Sequence, residues 1–401
     1  MPAFTHLRDE SRPFGELSFP EVTVLDVGEL RRRWSAWFDL SDSAPVPLRS
    51  RHAVHLARML TGEAEPVTPH WFSTISVTSA RHQVAVQARS RAYLCAHPGE
   101  LPQELRTPRW HTLADRVERW AELTPSERVT VVSLLTQLGF HRTIMRLAGT
   151  LSMSAEATGQ QLAYEIGRAA FQLNRKSPVP HEIFGRLAEQ AGRPALRVLS
   201  ALQLVSALSR GRDHASAARW LGVATRESAG LSREPGWLAH LVTSRYHRAA
   251  ALHELSSGDR EPVIAHMRAA LDHDDALATL VDDPVRTHYQ HENRALVLEA
   301  YLKLDTFAGT SCAPADAVAR LRELDPVDPE PLYAIGAFHA SRKDWQAARE
   351  VFWTAAGSGT LRGAEAARAA AVCSRELGLD GDAALAHRLC VELDPASKDI
   401  P

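Results

Sequence analysis

The 401-residue sequence predicts an all-α protein, and three of its features support this prediction. From about residue 110 onward, alanine and leucine recur at spacings of three and four residues, which is the period of an amphipathic helix. Glycine and proline stand between these segments, as at Gly192, Pro194 and Gly378, and not inside them. The alternation typical of a β-strand is limited to residues 17–27 and 75–86. We therefore expect helices throughout, with at most short extended stretches near the start.

Composition and charge exclude several classes of protein. Apolar residues make up 45% of the chain and charged residues 23%, which is typical of a globular protein. The formal net charge of -2 gives no overall field for binding nucleic acid or an anionic membrane surface. The sequence has no apolar run long enough for a transmembrane helix, and residues 1–16 lack the apolar core of a signal peptide. We expect a cytoplasmic protein that binds neither membranes nor nucleic acid.

Arginine and cysteine need separate interpretation. Arginine supplies 42 of the 46 basic residues, which is typical of a GC-rich bacterial genome, so the number of arginines alone indicates no function. The four cysteines do not form the closely spaced pairs of a zinc or redox motif. Cys373 and Cys390 occupy apolar positions of helical patterns and are predicted to be small buried side chains.

The chain divides into three predicted parts: an N-terminal region over 1–123, a helical repeat domain over 124–396 and a tail over 397–401. Thr124 and Glu127 form the pattern of a capping box, which predicts a helix start and then an apolar helix over 129–147. The N-terminal region is mainly helical, irregular and rich in tryptophan, and it either caps the repeats or forms an independent domain. Its two basic segments, 31–34 and 49–58, are balanced by acidic residues, which favours solvated helix faces over DNA binding.

The helical period predicts a series of consecutive helix pairs in the repeat domain. The acidic residues at 272–275 oppose the dipole at a helix C-terminal end, so we predict a loop there. The predicted helices are 155–174, 181–191, 195–209, 214–227, 237–256, 261–272, 286–305, 314–323, 330–341, 345–356, 363–377 and 381–392.

One helix pair, over 329–356, carries a recognisable repeat. Its first helix has a large residue followed by a small one, and its second has an alanine, an aromatic residue and another alanine at intervals of four and three. This segment resembles a tetratricopeptide repeat (TPR), although Leu332 and His339 replace the family's usual tryptophan and tyrosine. The residues that carry the resemblance are Leu332, Ile335, Gly336, Ala348, Phe352 and Ala355.

The resemblance continues, more weakly, over 195–396, or over 125–396 if the earlier helices belong to it. It implies a right-handed α-solenoid of TPR-like helix pairs, because no single pair can bury its apolar face alone. The alternative is an irregular helical bundle with chance spacing.

In such a solenoid, the first helix of each pair lines a concave groove. The resemblance therefore implies that the groove-facing residues of these first helices are the candidate site residues. Arginine provides a fork for carboxylates, and a concave wall focuses the field of several arginines. We therefore expect the groove to bind an acidic or C-terminal peptide segment, although the paired lysines and asparagines of the family's carboxylate clamp are not matched. Alternatively, these arginines form a solvated face or pair with local acids such as Glu254 and Glu292. The partner-binding candidates are Arg210, Arg245, Arg248, His291, Arg294, Tyr301 and Tyr333, with Ser206, Leu252, Glu330 and Ala337 beside them.

No catalytic, cofactor or phosphate-binding motif occurs in the sequence. A metal site built from His288, His291 and the acidic run is less favoured than a solvated acidic linker, so we expect no metal, no cofactor and no catalytic residue. The sequence predicts a non-catalytic scaffold or adaptor that binds a protein or peptide. Two alternatives stay open: a peptide-sensing regulator whose homodimerisation responds to ligand, and an enzyme with an unrecognised site that involves the N-terminal region.

Overall fold

A computed structural model describes residues 55–63, 98, 108–138, 140–148, 157–173, 177–255, 259–326, 328–357 and 361–393. These residues form an all-α protein, and no β-strand occurs in the described ranges. The extended stretches predicted at 17–27 and 75–86 lie outside the described residues. The basic segment at 31–34, most of the one at 49–58, and the tail at 397–401 also lie outside them.

Most predicted helices are confirmed within a few residues. A short helical segment at 55–60 precedes the labelled helices. The first eight are α1 (Pro108–Glu118), α2 (Pro125–Leu138), α3 (His141–Ala148), α4 (Ala157–Leu173), α5 (Pro178–Gln190), α6 (Pro194–Arg210), α7 (His214–Ser228) and α8 (Gly236–Glu254). The remainder are α9 (Arg260–Ala278), α10 (Pro284–Ala308), α11 (Ala317–Leu324), α12 (Pro329–Ser341), α13 (Trp345–Ala356), α14 (Leu361–Glu376) and α15 (Asp380–Leu393).

Side-chain caps fix several helix starts. The predicted capping box is present at α2, where the Glu127 carboxylate accepts the Thr124 N–H at 2.9 Å and the Thr124 hydroxyl accepts the Glu127 N–H at 3.3 Å. Asp283 accepts the N–H groups of Val285 and Arg286, both at 3.0 Å, at the start of α10. These bonds satisfy backbone donors that have no partner within the helix.

Two predicted boundaries are wrong. The helix expected over 129–147 is two helices, because the Phe140 N–H donates to the Leu135 carbonyl at 2.9 Å, the six-to-one bond that terminates α2. The loop expected at 272–275 is part of α9. The unfavourable interaction of these carboxylates with the helix dipole is outweighed, because Asp274 is buried and accepts several hydrogen bonds.

Consecutive helices pack against each other along the chain, and a second set of contacts joins alternate helices. α6, α8, α10 and α12 each pack against the next even-numbered helix, and the series ends at α14. This arrangement fits a row of stacked helix pairs, in which the even-numbered helices form one layer. The handedness of the row and its TPR identity stay predictions.

The described part of the N-terminal region shares its core with the following helices. Leu56 and Trp110 pack in one buried cluster with Val131 and Leu135 of α2 and with Ile166 of α4. The predicted boundary at residue 123 therefore does not separate two hydrophobic cores in the described part of the chain.

Gly336 marks the closest approach within the α12–α13 pair. A Cβ atom at this position would lie 2.6 Å from Cε1 and 2.7 Å from Cδ1 of the Phe352 ring. We expect Gly336→Ala to lower the free energy of unfolding by about 1–3 kcal/mol, because the buried ring must shift. Gly222→Ala is the matched control, since a Cβ there meets no atom within 4 Å and alanine favours the helix. Urea unfolding of both variants tests this, and equal effects would contradict the close approach.

Candidate functional site

A cavity of about 720 Å³ opens along the layer of even-numbered helices. Its wall comes almost entirely from α4, α6, α8 and α10, and Met267 of α9 completes it. Three of these helices, α6, α8 and α10, are among those that carry the groove candidates selected from the sequence.

The charged lining of the cavity is mostly cationic. The described lining residues include five cationic side chains and one carboxylate, that of Glu299. Lys303 donates to Glu299, so these two charges largely offset each other. The cations are Arg168, Arg210, Arg245, Arg248 and Lys303.

Arg245 is the unusual member of this set. Only 9% of the residue is exposed, and its Nε and Nη2 atoms have no hydrogen-bond partner among the described residues. Burial lowers the pKa of Arg245, while the nearby Glu292 carboxylate acts in the opposite direction. The guanidinium stays charged at neutral pH because its intrinsic pKa is so high. Two enclosed donors without acceptors leave the buried guanidinium charge poorly compensated, and the charge of an anionic ligand in the cavity would stabilise it.

Arg168 is buried beside Arg245 but has a different environment. It donates to Oε1 of Glu165 at 2.8 Å, and both side chains are almost completely buried. Burial raises the pKa of Glu165, and the Arg168 charge opposes this rise. Tyr164 lies at the same end of the cavity, where its hydroxyl accepts a hydrogen bond from Gln203 at 3.1 Å. Arg168 therefore enters the cavity already partnered by a carboxylate, and Arg245 has no equivalent hydrogen bond.

The remaining wall is apolar. Leucines from three helices line it, and Phe307 near the end of α10 is 75% exposed. A ligand that fills this cavity thus meets cations and apolar side chains together. The leucines are Leu199, Leu202, Leu252, Leu255, Leu296 and Leu304.

The structure brings together part of the predicted site. Arg210, Arg245 and Arg248 line the cavity, together with Ser206 and Leu252. On these two helices, α6 and α8, the residues selected by the repeat frame lie on the face that lines the cavity.

On α10, the predicted residues do not lie on the face that lines the cavity. Arg294 donates to Asp274 and, at 2.5 Å, to Asp275. Tyr301 is 2% exposed and packs in a core cluster behind the lining residues Met267 and Leu304. His291 is half-buried and is not part of the lining. The cavity face of α10 instead carries Leu296, Glu299, Ala300, Lys303 and Phe307, whose spacing of three and four residues is a signal that sequence reasoning missed.

The remaining predicted groove residues lie on α12, outside the cavity. Tyr333 packs on Phe352 with ring centroids 5.3 Å apart, and neither Glu330 nor Ala337 lines this cavity. Sequence reasoning also missed Tyr164 and Arg168, because α4 lies before the segments that the repeat frame aligned.

A buried polar network holds the cavity helices in place. Asp274 of α9 is fully buried and accepts bonds from the Asn293 amide at 2.7 Å and the Gln290 amide at 3.0 Å, as well as from Arg294. Asn293 also donates to the Ser244 hydroxyl of α8 at 2.8 Å. The network thus joins α8, α9 and α10, each of which carries at least one cavity residue. Because Asp274 belongs to this network, it is not a residue of a solvated acidic linker.

His141 makes the stability of this region depend on pH. The imidazole is fully buried, and burial, reinforced by the Arg168 charge, lowers its pKa to about 3. Below the ordinary pKa of about 6.5 the unfolded chain binds a proton that the folded chain excludes, so stability falls as the pH falls toward 3. We expect this histidine to cost about 2–3 kcal/mol at pH 4.5 relative to pH 7.

The measurement is urea unfolding of the parent and of His141→Leu at pH 7 and pH 4.5. The variant should lose less stability than the parent between the two pH values. His214→Leu, an exposed position on α7, should behave like the parent. An unchanged pH dependence in His141→Leu would show that His141 is protonated in the folded state.

The described residues set two further limits. None of the described helices combines the length and the apolar character that crossing a bilayer requires. In the same part of the chain, no three histidine, cysteine, aspartate or glutamate side chains are arranged to hold one metal ion.

Comparison with known proteins adds no family assignment. No protein-family model matches the chain, and a search of curated proteins found no match. The resemblance to tetratricopeptide repeats therefore stays a prediction from the residues at 329–356.

Proposed function

We propose that this protein is a non-catalytic cytoplasmic adaptor that binds an acidic segment of another polypeptide in the cavity between α4, α6, α8 and α10. The observation that carries the proposal is Arg245, a residue of the cavity lining whose guanidinium is buried and has two enclosed donor atoms without acceptors. A carboxylate is the natural acceptor, because its two oxygens match the fork of a guanidinium.

The rest of the lining favours a peptide as the source of that carboxylate. Arg210 and Arg248 extend the cationic surface along neighbouring helices, so acidic side chains at several positions could be accommodated. The leucines between them provide sites for apolar side chains, and buried anchors of this kind usually dominate the affinity of an interface.

The test is a fluorescence anisotropy titration with two labelled peptides. One is a short peptide of mixed glutamate and leucine, and the other has glutamine in place of every glutamate. We expect the acidic peptide to bind at least tenfold more tightly and its affinity to fall with added salt, because the attraction between charges is screened. Equal binding of the two peptides, or no binding of either, would contradict the proposal.

A further inference from the structure

Four histidines lie together on the α8–α9 pair, and none of them belongs to the cavity lining. His240 and His247 are seven residues apart on α8, and His266 and His273 are seven residues apart on α9. The Nδ1 atoms of His240 and His273 are 3.0 Å apart, and those of His247 and His266 are 2.9 Å apart. The rings of His247 and His273 stack with centroids 5.7 Å apart, so the two pairs adjoin each other.

The distance between the two Nδ1 atoms of each pair fits a metal ion that both nitrogens bind at about a right angle. Imidazole nitrogens lie about 2.0–2.1 Å from a bound transition metal, so nitrogens 2.9–3.0 Å apart would subtend about 90–95° at one ion. A tetrahedral zinc site would need a separation of about 3.3–3.4 Å for the same bond lengths. A right angle is instead typical of the square-planar or tetragonal sites of Cu²⁺.

The chemical state of the rings agrees with this geometry. Metal ligation requires a neutral imidazole, which is the main form of an ordinary histidine side chain at neutral pH. The carboxylates of Glu254 and Asp272 act on His266 and His273 respectively, and they would offset the charge of a bound cation. Two facing Nδ1 atoms also fit an N–H···N hydrogen bond, in which a proton occupies the place of the ion.

We propose that the two histidine pairs of α8 and α9 are adjacent Cu²⁺ sites, each with two protein nitrogens and with water completing the coordination plane. Two protein ligands for each ion agree with the absence of any three converging ligands in the described ranges. Bound ions would link α8, which carries Arg245 and Arg248, to α9. The proposal does not depend on the identity of the cavity ligand.

The experiment is a calorimetric titration of the full chain with Cu²⁺ in a buffer containing glycine, which competes for weakly bound copper. His273→Gln removes one pair and His266→Gln removes the other, while His214→Gln changes an exposed histidine on α7. We expect each pair variant to lose one bound ion, the double variant to lose two, and the control to lose none. Copper should also raise the melting temperature of the parent and leave that of the double variant unchanged.

A second readout on the parent protein does not depend on how the variants fold. Electron spin echo envelope modulation counts the imidazoles on each copper, and we expect two. Unchanged stoichiometry in the double variant, an equal loss in the His214→Gln control, or one imidazole per ion would each overturn the proposal.

Discussion

Replacing Asp274 with alanine is expected to lower the free energy of unfolding by about 3–5 kcal/mol, the range for breaking a buried ion pair on one side. The change removes the acceptor of three side chains and leaves the Arg294 guanidinium buried without its main counter-charge. Because the Asn293 amide then loses an acceptor within the α8–α9–α10 junction, the cavity helices should also lose their fixed spacing.

Asp275 offers a matched control for this prediction. It is the next residue on α9 and binds the same Arg294, but 59% of its side chain is exposed. Asp275→Ala should cost less than about 1 kcal/mol, as is usual for exposed ion pairs. Urea unfolding of both variants provides the comparison. Similar losses would show that Asp274 does not support the junction.

Replacing Arg245 with methionine is expected to weaken binding of the acidic peptide by about 10- to 100-fold, which corresponds to a hydrogen bond to a charged group worth about 1.5–3 kcal/mol. The variant should stay folded and lose less than about 1 kcal/mol of stability. Methionine fills much of the same space, and no hydrogen bond of Arg245 is lost within the described residues.

The anisotropy titration measures this loss, and two further variants refine it. Arg245→Lys keeps the charge but removes the fork, so it should bind with intermediate affinity. Arg219→Met changes an arginine of α7 whose side chain is 71% exposed, and it should bind like the parent. If Arg245→Met also binds like the parent, Arg245 is not a ligand anchor.

The sequence predicted those parts of the fold that depend on local pattern. The capping box at Thr124, the helix pair at 329–356 and the small residue at Gly336 were each visible in a few neighbouring residues. Arg245 and Arg248 were selected by the repeat frame, and both lie on the face of α8 that lines the cavity.

The wrong predictions for 272–275 and Arg294 share a physical cause. The side chains that bind these residues lie on another helix, far away in the sequence. The acidic run at 272–275 was predicted as a loop from the helix dipole, whereas Asp274 is held in α9 by Asn293 and Arg294, which belong to another helix. The same pairing turns Arg294 away from the cavity, which a frame based on spacing within α10 cannot detect. At the break in the predicted helix 129–147, the Phe140 N–H donates to the Leu135 carbonyl, a bond that the spacing of apolar residues does not reveal.

The most direct test of the cavity is to locate the bound peptide. An acidic peptide with a benzophenone side chain would be photo-crosslinked to the full protein, and mass spectrometry would identify the modified residues. Our account predicts crosslinks on the cavity faces of α6, α8 and α10, such as Leu202, Leu252 and Leu296, and their loss when the unlabelled peptide competes. Competed crosslinks confined to residues 1–107, or to the odd-numbered helices, would contradict it.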